Sequence, residues 1–242
     1  MLLKRFFFFS FAGLFLLSCS EDDDSDDTSP DEITIENPAT YTFTRNGEST
    51  VSFGGQTTRI QMGEELNDKL LDETATEAVL DAMFAHEEGE NNFSNPDLNA
   101  SDKSIRSKTA ASNDFFSANT ADQGLIRADF EDWIKKQVDD VFTRWNDAAA
   151  EGEAGQIADG SSTRYVSAQG LEYNQLVNKG LIGALMVDQA LNNYLGKGVL
   201  DAGENIAEND AGTVEEAKNY SNMENKRDEA YGYEYGLNAA PA

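Results

Sequence analysis

The chain has 242 residues, with 45 acidic side chains against 18 basic ones and a formal net charge of −27. Such acidity repels phosphate backbones and anionic headgroups alike, which sets aside nucleic-acid binding and attachment to membrane surfaces by charge. A single cysteine rules out an internal disulfide and a single histidine rules out an imidazole cluster, so the fold has to rest on its apolar core.

The chain opens with Lys4 and Arg5, then an apolar run from Phe6 to Leu17, then Ser18-Cys19. That run is shorter than the about 20 apolar residues of a membrane-spanning helix, and its basic start and small residue before Cys19 are those of a signal peptide. The ending Leu16-Leu17-Ser18-Cys19 resembles the lipobox of bacterial lipoproteins. The resemblance implies cleavage before Cys19, diacylation of that residue, and a membrane reached through its lipid. Ser20-Glu21-Asp22-Asp23-Asp24-Ser25-Asp26-Asp27 has no apolar side chain and repels itself, so it reads as an extended tether. Serine followed by acids after the lipid cysteine also resembles the signal that carries lipoproteins of Bacteroidota to the outer face of the outer membrane. The expectation is an outer-membrane, surface-exposed lipoprotein, with a periplasm-facing anchor as the alternative. Residues 1–18 are thus the expected signal peptide, 19–37 the disordered tether, and 38–242 a mostly helical domain.

Within that domain, Tyr41 to Phe53 alternates around Asn46-Gly47, which predicts a short β-hairpin closed by Gly54-Gly55. Helical spacing follows: Leu66, Leu70 and Leu71 on one face, then Val79, Met83 and Phe84 behind a capping box at Thr74 to Glu77. Residues 87–112 read as a loop. Ile126, Phe130, Trp133, Ile134, Val138, Val141, Phe142, Trp145 and Ala149 predict an amphipathic helix over about 122–149, stopped by Gly152. A Gly/Ser-rich crossing at 151–164 leads to a helix over about 169–195, apolar nearly all round and so buried on most sides, in which Gly180 and Gly183 permit close approach. An acidic loop at 199–212 and a capping box at Thr213 to Glu216 introduce a last helix through about Ala230. The expected fold class is mainly α, a helical bundle with a short N-terminal β-hairpin.

Gly54-Gly55-Gln56-Thr57-Thr58-Arg59, Arg164-Tyr165-Val166, Gly170-Leu171-Glu172-Tyr173-Asn174-Gln175 and Lys179 to Leu195 carry a resemblance. Together they resemble the family called domain of unknown function 4856, surface or lipoprotein-type proteins with no assigned activity. The resemblance runs from about residue 38 to the C-terminus. Family members are longer, which implies that this chain carries the N-terminal part of the family domain, either truncated or with the rest encoded separately. They are distantly similar to imelysin-like helical proteins, which implies iron acquisition by analogy alone. The family usually has histidine where this chain has Asn225 and tryptophan where it has Arg227. With Asn225 in that place, one expected metal ligand is missing.

Three candidate sets follow from the residues. Glu224, Asp228 and Glu229 lie on one helix, as candidate carboxylate ligands for a divalent metal or an acid–base pair. Asp188, Gln189 and Asn192 sit in the most apolar helix, and if buried must be hydrogen-bonded, as a polar contact or a cap for the chain arriving at Arg164 and Tyr165. His86, the sole imidazole, reads as a helix-end residue facing solvent or the helix dipole. The expected function is a non-enzymatic binding or interaction module with no cofactor. Metal acquisition of imelysin type is the alternative, and a carboxylate-based hydrolase the weaker one. The wide apolar helix faces predict a partner surface, met by self-association or by a separately encoded protein.

Overall fold

The computed structural model describes residues 40–238, so the signal peptide, Cys19 and the acidic tether lie outside the described residues. β1 (Thr44–Arg45) and β2 (Glu48–Ser49) pair antiparallel with Arg45 opposite Glu48. Asn46 and Gly47 have φ of 55° and 85°, the two positive values a tight hairpin turn demands. Gly54-Gly55 does not merely close this hairpin. It opens α1 (Gly54–Lys69), which sends Met62 and Leu66 into the core, followed by Leu70 at its end.

α2 (Glu77–Phe84) is capped by Thr76, whose hydroxyl accepts from the Val79 N–H, two residues later than the expected cap. Leu80, Met83 and Phe84 face inward, whereas Leu71 and Val79 are exposed, against their expected placing. The 87–112 segment is ordered rather than loose. It contains α3 (Pro96–Asn99) and α4 (Ile105–Lys108) and buries Phe93, Leu98, Ile105 and Ala110. Its backbone is held from a distance, the Glu65 carboxylate accepting from the N–H groups of Ser94 and Asn95.

After α5 (Asn113–Phe116) comes α6 (Thr120–Lys136), capped by Asn119 and ending on Lys135 and Lys136, as the helix dipole favours. A π-helical turn (Gln137–Val141) and a 3₁₀ turn (Phe142–Arg144) finish it five residues before the expected end. Next, where a Gly/Ser crossing was expected, β3 (Gly155–Asp159) and β4 (Ser162–Val166) form a second hairpin. Tyr165 stacks on Trp145 at 3.4 Å and 2°, fastening this hairpin to the end of α6.

α7 (Tyr173–Leu181) continues through π-helical turns at Ile182–Val187 and Ala190–Tyr194. Gly180 meets α6 as expected: a methyl group there would come 3.0 Å from Phe130 Cζ. Gly183 faces open space. The helix is not buried nearly all round. One side packs on α6 and α1 and another on α10, leaving a third outward. The 199–212 segment is not a plain loop. It follows α8 (Lys197–Leu200) and holds α9 (Asn205–Ala211). The box expected at Thr213 does not form, and the capping box is Ser221 with Glu224, which opens α10 (Asn222–Tyr235). The architecture is mainly α with small hairpins, as expected, and its core joins α1, α2, α6, α7 and α10. Among the described residues, no helix is long and apolar enough to cross a membrane.

Candidate functional site

Two of the α10 carboxylates, Glu224 and Asp228, line one cleft, but each of the three already holds a neighbour. Glu224 pairs with Arg45 of the first hairpin through two bonds of 2.9 Å and accepts from its own N-cap, the Ser221 N–H. Burial pulls the Glu224 pKa up, but Arg45 and Ser221 outweigh it and leave it below the ordinary carboxylate value. Asp228 is buried and accepts from Tyr41 Oη and from the Ser52 N–H, both at 2.8 Å. Burial raises its pKa against the lowering by those two donors. The Tyr41 phenol is raised by burial first and by Asp228 second. Glu229 accepts from Lys226 Nζ at 2.7 Å and from Gln56 Nε2 at 3.3 Å. Asn219 completes the clamp, donating from Nδ2 to the Arg45 and Glu48 carbonyls. These residues bolt the N-terminal hairpin and α1 to α10.

The polar set in the apolar helix separates into parts. Asp188 Oδ2 accepts from the backbone N–H groups of Ala111 and Ser112, at 3.1 and 3.0 Å, so it caps an incoming chain as expected. The chain it caps is the 110–112 turn, however, not Arg164 and Tyr165. Asn192 donates to the other Asp188 oxygen at 3.4 Å. Gln189 is fully buried and accepts from Asn193 at 3.1 Å. Arg164 stands apart on β4, paired with Asp159 and Glu172 near solvent. His86 is a core residue rather than a solvent-facing one, at 4% exposure. Its Nδ1 lies 2.6 Å from Asn92 Oδ1, and its ring meets Phe93 edge-on. Among the described residues, no group of three or more His, Cys, Asp and Glu side chains is arranged to hold a metal ion.

What remains open is an apolar face. Ile182, Val187, Leu191 and Leu195 are 46%, 44%, 52% and 40% exposed. They recur at steps of five, four and four residues, and the wide π-helical turns keep that spacing in register on one side. At the Leu195 end the stripe meets this cleft of about 360 Å³, which Tyr41, Phe43, Arg227, Tyr231 and Glu234 line together with Glu224 and Asp228. The cleft wall is aromatic: Tyr41 stacks on Tyr231 at 3.5 Å and 8°, and Tyr231 on the half-exposed Tyr235 at 4.8 Å.

The model of the family described as domain of unknown function (DUF4856) matches residues 38–242. The chain belongs to that family. No curated protein and no solved structure matches it. Seen as a DUF4856 chain, its expected family segments fall on structural contacts. Gly54 to Arg59 opens α1, and Lys179 to Leu195 supplies both the helix contact at Gly180 and the exposed stripe. Sequence reasoning expected an exposed apolar face but missed its place, because a helix apolar all round reads as buried, and only its neighbours decide which side is left over. Arg45 and Tyr41 were also missed, since pairs separated by more than 170 residues leave no local signal.

Proposed function

We propose that the chain is a non-enzymatic interaction module, held at the outer face of the outer membrane by lipid on Cys19. Its working surface is the stripe Ile182, Val187, Leu191 and Leu195 together with the adjoining aromatic cleft. The exposed stripe is the observation that carries this reading, because a contiguous apolar face rimmed by polar residues marks a protein contact. The occupant is a protein apolar at its centre and basic at its rim. A net charge of −27 favours a cationic partner and opposes a second copy of the same chain. The lipobox-like ending at Cys19 and the acidic tether after it support the anchor and the surface address. The engagement of Glu224, Asp228 and Glu229 with hairpin and helix partners supports binding over acid–base chemistry.

The test is Val187→Ser combined with Leu191→Ser. Both positions are exposed, so the melting temperature should hold within about 1 °C, since surface changes stay within about 0.5 kcal/mol. Hydrophobic-dye binding to the lipid-free protein should fall. Unchanged dye binding, or a cooperative loss of the fold, would mean that the stripe is not an available surface.

A further inference from the structure

In a chain with 45 acidic residues, four basic side chains gather around the first turn of α1 and the end of the α7 helix. Lys108 Nζ lies 5.9 Å and Lys226 Nζ 5.6 Å from the centre of the Tyr194 ring. Gln56 Nε2 joins that ring to the cluster, donating to Tyr194 Oη at 3.4 Å and to Glu229 at 3.3 Å. Arg59, buried at 7% exposure, and Lys103 close the group from α1 and the turn before α4, both beside Gly55. Lys103 and Lys226 are each neutralised by one carboxylate, Asp102 and Glu229. Neither Arg59 nor Lys108 takes part in an ion pair among the described residues. Two positive charges are therefore without a paired carboxylate, and Arg59 disfavours the charge on Lys108 more than Glu229 favours it. The Lys108 pKa is lowered, by burial first and by Arg59 second. The start of α1 beside them has no side-chain cap, so its N–H dipole adds a further positive end.

The unmet charge calls for an anion. We propose that Lys108, Lys226 and the first turn of α1, with the charge of the committed Arg59 guanidinium behind them, bind a tetrahedral dianion, the phosphate group of a small ligand. A dianion matches the two unpaired charges. A planar carboxylate fits less well, because the guanidinium fork that would clasp it is already committed. Arg59 donates from Nε to the Ser104 carbonyl and from Nη1 to the Gly55 carbonyl, each at 3.1 Å. What is offered instead is ammonium point charge and helix N–H, the set that receives phosphate. This site lies apart from the apolar stripe and does not depend on its role.

Inorganic phosphate, followed by ³¹P NMR line broadening on the lipidated mature chain in detergent, tests the assignment. Saturable broadening at matched ionic strength is expected, with sulfate competing and citrate not. Lys108→Met should weaken binding by about tenfold or more, as loss of one charge-assisted contact does. The same variant should melt no lower than the parent, because it removes repulsion rather than a bond. Lys179→Met, on the far exposed face, should leave phosphate binding unchanged. Absence of saturable binding, equal binding by Lys108→Met, or displacement by citrate but not sulfate would each overturn the phosphate site. A Lys108→Met protein that melts lower than the parent would also overturn it, because Lys108 would then be a structural contact.

Discussion

Asp228→Ala is the perturbation most sharply defined by the structure. It deletes the acceptor of two buried bonds at 2.8 Å, from Tyr41 Oη and the Ser52 N–H. A hydrogen bond to a charged group contributes about 1.5–3 kcal/mol, and the stranded Ser52 donor adds a desolvation cost. Against this, the variant no longer buries a carboxylate, whose raised pKa records that penalty. The net loss is about 2–4 kcal/mol. At roughly 2–4 °C per kcal/mol for a domain of this size, the melting temperature should fall by about 4–16 °C. The loss should be local first, because Asp228 ties Tyr41 and Ser52, on either side of the N-terminal hairpin, to α10, and its removal leaves the Arg45–Glu224 pair and Asn219 to hold it. Trypsin should therefore cut after Arg45 sooner in Asp228→Ala than in the parent, at temperatures well below the melt. The pH dependence has a definite sign. A carboxyl whose folded pKa is raised above its ordinary 3.8 favours the fold when protonated. Its contribution is complete below 3.8 and is lost as pH rises through the folded value, so the gap between parent and variant should widen as pH falls through that window. A variant that melts within about 1 °C of the parent with Arg45 still protected would refute this account of the clamp. A stability difference seen only with added calcium or iron would make Asp228 a metal ligand and move the reading to metal acquisition.

Gly183→Ala meets open space in a helix and should stabilise by about 0.5–1 kcal/mol, whereas Gly232→Ala would bring a methyl group 2.6 Å from Phe53 Cβ and should destabilise in spite of the same helix gain; thermal melts of the two variants check the opposite signs. Asp188→Ala should leave the Ala111 and Ser112 N–H groups without their acceptor and speed their hydrogen exchange, while exchange in the β3–β4 hairpin stays as it was. Cys19→Ala should leave uncleaved precursor without lipid label, and alanine at Glu21, Asp22, Asp23 and Asp24 should keep the lipid but remove access to external protease. Unchanged surface digestion of the latter would count against the export signal.

The sequence was most informative where structure is local. Asn46-Gly47 announces its hairpin turn, and the apolar spacing of Phe130, Ile134 and Val141 announces α6, because both depend on residues a few positions apart. The second hairpin had a signal too, Asp159-Gly160 between Gln156-Ile157 and Tyr165-Val166, but its glycines and serines resemble a linker. What fixes it is Trp145 against Tyr165, a stack across twenty residues. The cap of α10 was expected at Thr213 to Glu216, and the box that forms, Ser221 to Glu224, has the same spacing. Only the second is followed by a helix that packs on α1, with Tyr233 fully buried. The candidate carboxylates were placed correctly on one helix, yet their partners Arg45, Tyr41 and Gln56 come from the far end of the chain. A one-dimensional pattern shows which residues could meet a ligand, not which have already met each other.

If the α7 stripe is a contact surface for a protein with a basic rim, a photo-crosslinking residue at Leu191 should capture that protein in cells. Leu191 is 52% exposed on the stripe, and Leu125, 66% exposed on α6, serves as the control position. One discrete adduct is expected from position 191 and none from 125, with the crosslinked peptide of the partner carrying Lys and Arg around an apolar centre. Equal labelling from both positions, an adduct formed only with a second copy of this chain, or an acidic partner peptide would contradict this role of the stripe.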